Sequence, residues 1–276
     1  MKKLSAFIVL GGLLSASVGR ADDLKQSKFT QVVNSVEVVA AADQSQHTAA
    51  VNDVFKMPDL LKTGPNSRAE MVADDKTITR IGANTIFSFD PAARTIGLKQ
   101  GSILFHAPHG KGGGTVHTAS ATASVLGTTI IVVATSDGGF KVITLEGEAK
   151  IQLPDGSTQV LHPGELIFVL PGGGTSPVIV FNLGDLVDGS LLVNGFTDQL
   201  PSMDLINAEI ARQLAKILKH QYEDIGPLAP GGGDNTDGGR PISDAVNVQG
   251  DIVNKENRIF IGDIIIGGGL GIQPAG

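Results

Sequence analysis

The run Arg68-Ala69-Glu70-Met71-Val72-Ala73-Asp74-Asp75-Lys76-Thr77-Ile78-Thr79-Arg80-Ile81 reads as a complete β-hairpin. Successive strand residues point to opposite faces, so Ala69, Met71 and Ala73 share one face and Arg68, Glu70 and Val72 the other. Asp74-Asp75-Lys76 is the turn, because aspartates bond their own backbone where a chain reverses. Thr77 to Ile81 is the return strand, and Gly82-Ala83-Asn84 ends it.

Working outward, the same scheme recurs from Lys28 to Leu170. Thr85 to Asp90, Arg94 to Gln100 and Ser102 to Ala107 are expected strands, broken at Asp90-Pro91 and Gly101. Thr128 to Thr135 is a continuous β-branched run, the mark of a strand buried on both faces. Asp137-Gly138-Gly139 reverses it into Phe140 to Glu146, and Gly147 separates that from Glu148 to Leu153. Pro154-Asp155-Gly156-Ser157 leads to Thr158 to Leu161, and His162-Pro163-Gly164 to Glu165 to Val169. Turn residues every eight to twelve positions and no room for a helix define an all-β domain. The expected form is a solenoid- or roll-like stack of short antiparallel strands, with a core of small aliphatics.

Composition narrows the chemistry. The 276 residues include 36 Gly, 13 Pro, 11 Phe, one Tyr, no Trp and no Cys. Without cysteine there is no disulfide framework, no Cys-ligated metal and no thiolate nucleophile. Twenty-one basic residues against 28 acidic ones give a net charge of −7, with no long basic run, which argues against nucleic acid. A 41% hydrophobic share is that of a folding chain.

The N-terminus carries the parts of a secretory signal peptide: Lys2-Lys3, an uncharged run from Leu4 to Gly19, and small residues Gly19 and Ala21 at the −3 and −1 positions. The run is too short and too interrupted to span a membrane. Cleavage after Ala21 removes Lys2, Lys3 and Arg20. The 21 basic residues fall to 18 against 28 acidic, a net charge of −10. The expected mature protein is a bacterial periplasmic or extracellular one with no stable membrane insertion.

Several ordered blocks resemble one family. Leu60-Leu61-Lys62-Thr63-Gly64-Pro65-Asn66-Ser67-Arg68-Ala69-Glu70 is similar to the signature of FecR-type domains, a threonine-glycine followed by serine-arginine-alanine-glutamate. Asp75-Lys76-Thr77, Ile81-Gly82, Asn84-Thr85 and Gly101-Ser102-Ile103 resemble that family's turns and strands. So do Val116-His117-Thr118-Ala119, Ser124-Val125-Leu126-Gly127-Thr128, Val142 to Glu148 and His162-Pro163-Gly164-Glu165. The resemblance implies an all-β periplasmic domain that makes protein contacts in surface signalling. In the family's best-known members it relays the state of an outer-membrane transporter to a cytoplasmic sigma factor. Those regulators carry an anti-sigma segment and a membrane helix where this chain has its expected cleavable signal. Direct control of a sigma factor is therefore not expected here.

Past residue 170 the character changes. Pro171 to Pro177 is a turn or short linker, Val178 to Phe181 a possible last strand, and Leu183, Leu186, Val187 and Leu191 fall at helical spacing before a stop at Gly195. Ser202 is an expected N-cap, with Asp204 near the positive end of a helix and Lys219 and His220 near its negative end. Met203, Ile206, Ile210, Leu214, Ile217 and Leu218 form its apolar stripe, opposite Glu209, Arg212, Lys216 and Glu223. A helix capping the open end of the β domain is favoured over a partner-binding or membrane-surface helix, which would carry more Lys and Arg. Gly226 to Arg240 reads as a linker. Ile259-Phe260-Ile261 and Ile264-Ile265-Ile266 are strongly β-prone and must pair; return to an edge of their own β domain is favoured over adding a strand to another molecule. The expected organisation is a signal peptide over 1–21 and a β domain over 22–170, then a linker with a short helix over 171–200. A helix over 201–225 and a Gly-rich, β-prone tail over 226–276 complete it.

Candidate chemistry is thin. His106, His109 and His117 surround a glycine-rich loop, Gly110 to Gly114, and three imidazoles can ligate zinc or copper. No acidic residue stands near in sequence to orient them, so solvated loop histidines are expected. Lys111-Gly112-Gly113-Gly114-Thr115 has the wrong order for a phosphate loop and no following helix. Asp74-Asp75 and Asp22-Asp23 lack the buried setting that splits two carboxylate pKa values. Asp234-Asn235-Thr236-Asp237-Gly238 lacks the alternation and distal glutamate of a calcium loop. No Ser–His–Asp order or glycine-framed nucleophile emerges. No catalytic, cofactor-binding or metal site and no cofactor is expected, and the chain reads as non-enzymatic. The leading expectation is an exported FecR-like module contacting an envelope or outer-membrane protein. The alternatives are a component of the transporter-to-sigma-factor relay acting through a separate membrane protein, and a glycan-binding or structural surface protein. Self-association through Ile259 to Ile266 is also open.

Overall fold

The structure is a computed structural model that describes residues 27–56, 58–90, 93–218, 258–261 and 264–267. The expected signal peptide, Asp22-Asp23, Lys219, His220, Glu223 and Asp234 to Gly238 lie outside them. The strands are β1 (Ser27–Val33), β2 (Val36–Val39), β3 (Gln46–Thr48), β4 (Val54–Phe55), β5 (Leu60–Thr63), β6 (Arg68–Ala73), β7 (Ile78–Ile81), β8 (Ile86–Asp90) and β9 (Thr95–Ala107). They continue as β10 (Gly114–His117), β11 (Thr122–Val125), β12 (Thr128–Ala134), β13 (Phe140–Glu146), β14 (Ala149–Gln152), β15 (Thr158–Leu161), β16 (Glu165–Val169) and β17 (Ile179–Val180). Helices α1 (Leu183–Gly189), α2 (Leu191–Asn194) and α3 (Met203–Leu218) follow, and then a separate hairpin of β18 (Arg258–Ile261) and β19 (Ile264–Gly267).

The first seventeen strands form one continuous sheet folded into two layers. One layer runs β1–β6–β7–β9–β12–β13–β16–β17, the other β3–β2–β5–β8–β9–β10–β11–β14–β15. The chain is all-β and roll-like, as its pattern predicts, and it is not a closed barrel. The pairings are antiparallel except β9 with β10, which is parallel.

Strand β9 belongs to both layers. Its first half pairs with β8 and its second half with β7 and β12. Arg94 to Gln100 and Ser102 to Ala107 are thus one strand, not two. Gly101 has φ +102°, and a Cβ there would sit 2.4 Å from Thr85 Cα, so only glycine lets the strand turn this corner against its neighbour.

Inward residues of both layers form the main core, among them Met71, Ile103, Val132 and Val142 from one layer and Leu61, Leu98, Val116 and Ile151 from the other. The core is not all small aliphatics. Phe29, Phe55, Phe87, Phe89, Phe105 and Phe140 are concentrated in it, and Phe55 meets Phe29 edge-on at 6.3 Å. These rings supply the volume that thin aliphatic layers would lack.

A second core lies on the outer face of the first layer, where Leu104, Ile131, Val133, Ile143, Leu166 and Phe168 are covered by Phe181, Leu183, Leu186, Leu192, Met203 and Ile206. This explains why every residue from Thr128 to Ala134 is buried. The helices therefore cover a sheet face; they do not plug an open end. Helix α3 reaches from Thr129 of β12, beside Ser202, to the β16–β17 side. There Gln213 accepts from Leu183 N and donates to Phe181 O. Its apolar stripe is buried at Met203 and Ile206 and emerges into solvent at Leu214.

The outer face of the second layer is open and polar. Ser88, Gly97, His117, Thr122, Gln152 and Thr158 lie in register across it.

Candidate functional site

The residues of the family-like signature turn out to hold the strand ends together. Thr63 Oγ1 donates to Gly82 O (2.6 Å) and accepts from Thr85 N (2.9 Å). Ser67 Oγ accepts from Ser35 N (3.0 Å), and Gly64 bonds Ser35 and Asn84 through its backbone. Thr85 Oγ1 accepts from Ser102 N (3.1 Å) at the β9 corner. The Thr63, Ser67 and Thr85 hydroxyls thus each meet a partner, as burial favours.

Arg68, Glu70 and Arg80 face outward from the first layer and anchor the helical segment. Register places Glu70 opposite Arg80, and Arg80 Nε bonds Glu70 Oε2 at 2.7 Å with both side chains buried. Thr30 Oγ1 donates to the other Glu70 oxygen at 2.7 Å. The rest of the guanidinium donates to the carbonyls of Leu192, Val193 and Asp198 and lies over the Phe196 ring. Arg68 Nε donates to Gly195 O, and Thr197 N donates to Gln31 Oε1. Burial lowers the Arg80 pKa from its ordinary value, and Glu70 opposes that shift. Sequence reading did not single out this pair. The signal was present, because a hairpin turning at Asp74-Asp75-Lys76 pairs residue 70 with residue 80.

At the strand end nearest α3, two of the three histidines meet. His106 Nδ1 is 2.9 Å from Thr129 Oγ1, which is also 2.9 Å from Ser202 Oγ and 3.2 Å from Glu146 Oε2. His109 Nε2 is 2.9 Å from Glu146 Oε1. With Glu146 as a carboxylate, which only accepts, Thr129 donates to it, and Ser202 Oγ–H and His106 Nδ1–H donate to Thr129. Burial, then the neighbouring charges of His109 and Arg80, push the His106 pKa down to about 4, so its ring is neutral at ordinary pH. Ser202 thus spends its hydroxyl on the sheet, while its carbonyl accepts from Ile206 N. The acidic neighbour missing from the local sequence is Glu146, which the β9–β12–β13 register supplies.

His117 is elsewhere, on the open face, with Nδ1 2.8 Å from Thr122 Oγ1. Among the described residues no group of three or more His, Asp or Glu side chains is placed to hold a metal. The glycine loop leads into β10. Arg94 ties it to the hairpin turn, with Nε donating to Gly113 O (2.6 Å) and Nη2 to Asp75 Oδ2 (2.7 Å). Asp75 also caps its own turn through Thr77 N (2.9 Å). The Ser202, His106 and Glu146 side chains are buried, and each is bonded to Thr129 Oγ1.

Residues 59–150 match the family model described as FecR protein, so the chain carries a FecR domain over β5 to the start of β14. Two solved structures of a proposed anti-sigma factor from Parabacteroides distasonis ATCC 8503, at 1.65 and 2.50 Å resolution, are similar at 19% and 20% identity, each with a TM-score of 0.39. Each match covers 42% of this chain and 57% of the other. No curated protein matches the chain. No helix among the described residues is long and apolar enough to cross a membrane.

Proposed function

We propose that the chain is exported, loses residues 1–21, and works as a non-enzymatic FecR-type module making protein contacts in the bacterial cell envelope. Its place is in cell-surface signalling, acting through a separate membrane protein. The observation that carries this reading is the FecR match over residues 59–150, on a two-layered fold with one outer face closed by its own helices and the other left open.

The open face supports a protein partner over a sugar. Ser88, Gly97, His117, Thr122, Gln152 and Thr158 offer hydrogen-bonding groups in a regular row, but no aromatic ring on which a sugar could stack. Fractionating cells and sequencing the N-terminus of the recovered protein tests export. A periplasmic protein beginning at Asp22 is expected, and a cytoplasmic one retaining Met1 would refute the proposal.

A further inference from the structure

Helix α3 is held at its two ends by different chemistry. Towards its C-terminal end Gln213 bonds the backbone at Phe181 and Leu183, contacts that involve no titratable group. At its start the hold is a row of polar side chains on the outer face of the first layer. Register aligns His106 of β9, Thr129 of β12 and Glu146 of β13 across neighbouring strands. Ser202, the residue before α3, joins the row through Thr129. The apolar hold there is small. Between Gly195 and Leu218 the buried apolar residues among the described side chains are Leu200, Met203 and Ile206, with Ile210 half-buried beside them.

The row contains one group that resists a proton while it is covered. His106 is 5% exposed, and its Nδ1–H is spent on Thr129, which leaves Nε2 as the site of protonation. Arg80 of β7 opposes a second cation there, and so does His109 of the loop after β9 when it is charged. Glu146 of β13 is committed to Thr129 and His109. Glu70 of β6 and Asp198 of the turn before α3 act on the Arg80 guanidinium. Helix α3 brings Ser202, which is uncharged, and Asp204, which is exposed. Burial first, and then the two neighbouring cations, hold the ring's pKa at about 4 against an ordinary 6.5. Uncovering the ring returns it towards 6.5, so a proton favours the open arrangement. Closure is fully supported above pH 6.5 and loses support as pH falls to 4, by about 150-fold in the closed-to-open ratio. Arg80 also anchors the turn before α3, through the carbonyls of Leu192, Val193 and Asp198. A positive ring beside it therefore acts on both attachments.

We propose that His106 is an acid-operated latch, whose protonation releases the start of α3 and the turn before it while the two β layers stay folded and Gln213 keeps the helix tethered. Release uncovers apolar residues of the first layer's outer face, among them Leu104 and Ile131, which neighbour His106 and Thr129 on that face. The device belongs to the isolated chain, so it stands or falls separately from the function proposed above.

The test uses a reporter in the full chain. The protein has no tryptophan, so Phe196→Trp, in the turn that lies over Arg80, supplies a single one. Its emission is followed from neutral pH to pH 4, beside far-ultraviolet circular dichroism of the strands and NMR of the His106 ring. The emission should move to longer wavelength as His106 takes up its proton, before any loss of strand signal. Adding His106→Gln should remove this shift. Adding Glu146→Gln, which keeps an acceptor for Thr129, should preserve it. A constant emission, a shift that arrives only with loss of strand signal, one that persists with His106→Gln, or one abolished by Glu146→Gln would each overturn the latch. If His106→Gln does not fold at neutral pH, the NMR titration decides: the ring and the emission must titrate together, and separate midpoints overturn it.

Discussion

Glu70 and Arg80 face each other across one hairpin, 2.7 Å apart and both buried, and the pair is covered by a segment more than a hundred residues further along the chain. Arg80 reads that segment mainly through backbone carbonyls, with the Phe196 ring lying against its guanidinium, so the contact depends chiefly on the path of residues 192–198. A planar guanidinium suits this, since it carries several donors in a fixed fork.

Replacing Arg80 with Met should cost about 3–5 kcal/mol, because Glu70 is left as an uncompensated buried charge. Arg80→Lys should not restore the loss, lacking the fork. Pairing Arg80→Met with Glu70→Gln should recover a good part of it. Urea unfolding of the single and double variants measures all three.

His106 predicts an acid-sensitive fold. Its folded pKa of about 4 lies below the ordinary 6.5, so the folded state prefers the neutral ring. The stability tied to that preference is fully present above pH 6.5 and is lost as pH falls from 6.5 to 4. A loss of about 3 kcal/mol across this window is expected, and His106→Gln should flatten it. Thermal melting of both proteins at stepped pH is the measurement.

Gly101 and Gly138 separate two costs of a side chain. Both have positive φ, but a Cβ on Gly138 meets open space while one on Gly101 meets Thr85 backbone at 2.4 Å. Gly138→Ala should cost about 1–2 kcal/mol of backbone strain. Gly101→Ala should cost clearly more, because β9 could no longer pass between layers. Differential scanning calorimetry distinguishes them.

Gln213→Ala should loosen α3 without disturbing the β layers. It leaves Leu183 N–H and Phe181 C=O unsatisfied, at a cost of about 1–3 kcal/mol. Hydrogen exchange should speed up in α1 and α3 while β12 and β13 stay protected.

What the sequence made legible were features set by near neighbours. The alternation of Arg68 to Ala73, the Asp75 turn, the Asp155-Gly156 turn and the doubly buried Thr128 run follow from local chemistry, and the structure contains each. What escaped depends on register between distant strands or on layers closing. Gly101 looked like a break because a corner and a turn both ask for glycine. His109 and Glu146 lie far apart in sequence and meet only through β9, β12 and β13. The aromatic-poor composition hid the gathering of six phenylalanines into one core. The helix stripe was visible, but not the surface it would cover.

In the role proposed for this chain, the open face of the FecR-type fold meets another envelope protein. It is tested most directly by placing a photo-crosslinking residue at position 117, on that face, and a second one at Lys216 on α3, in the protein expressed in its own cells. The prediction is one discrete crosslinked envelope protein from position 117, absent from position 216. No adduct from position 117, or only an adduct with the chain itself, would contradict it.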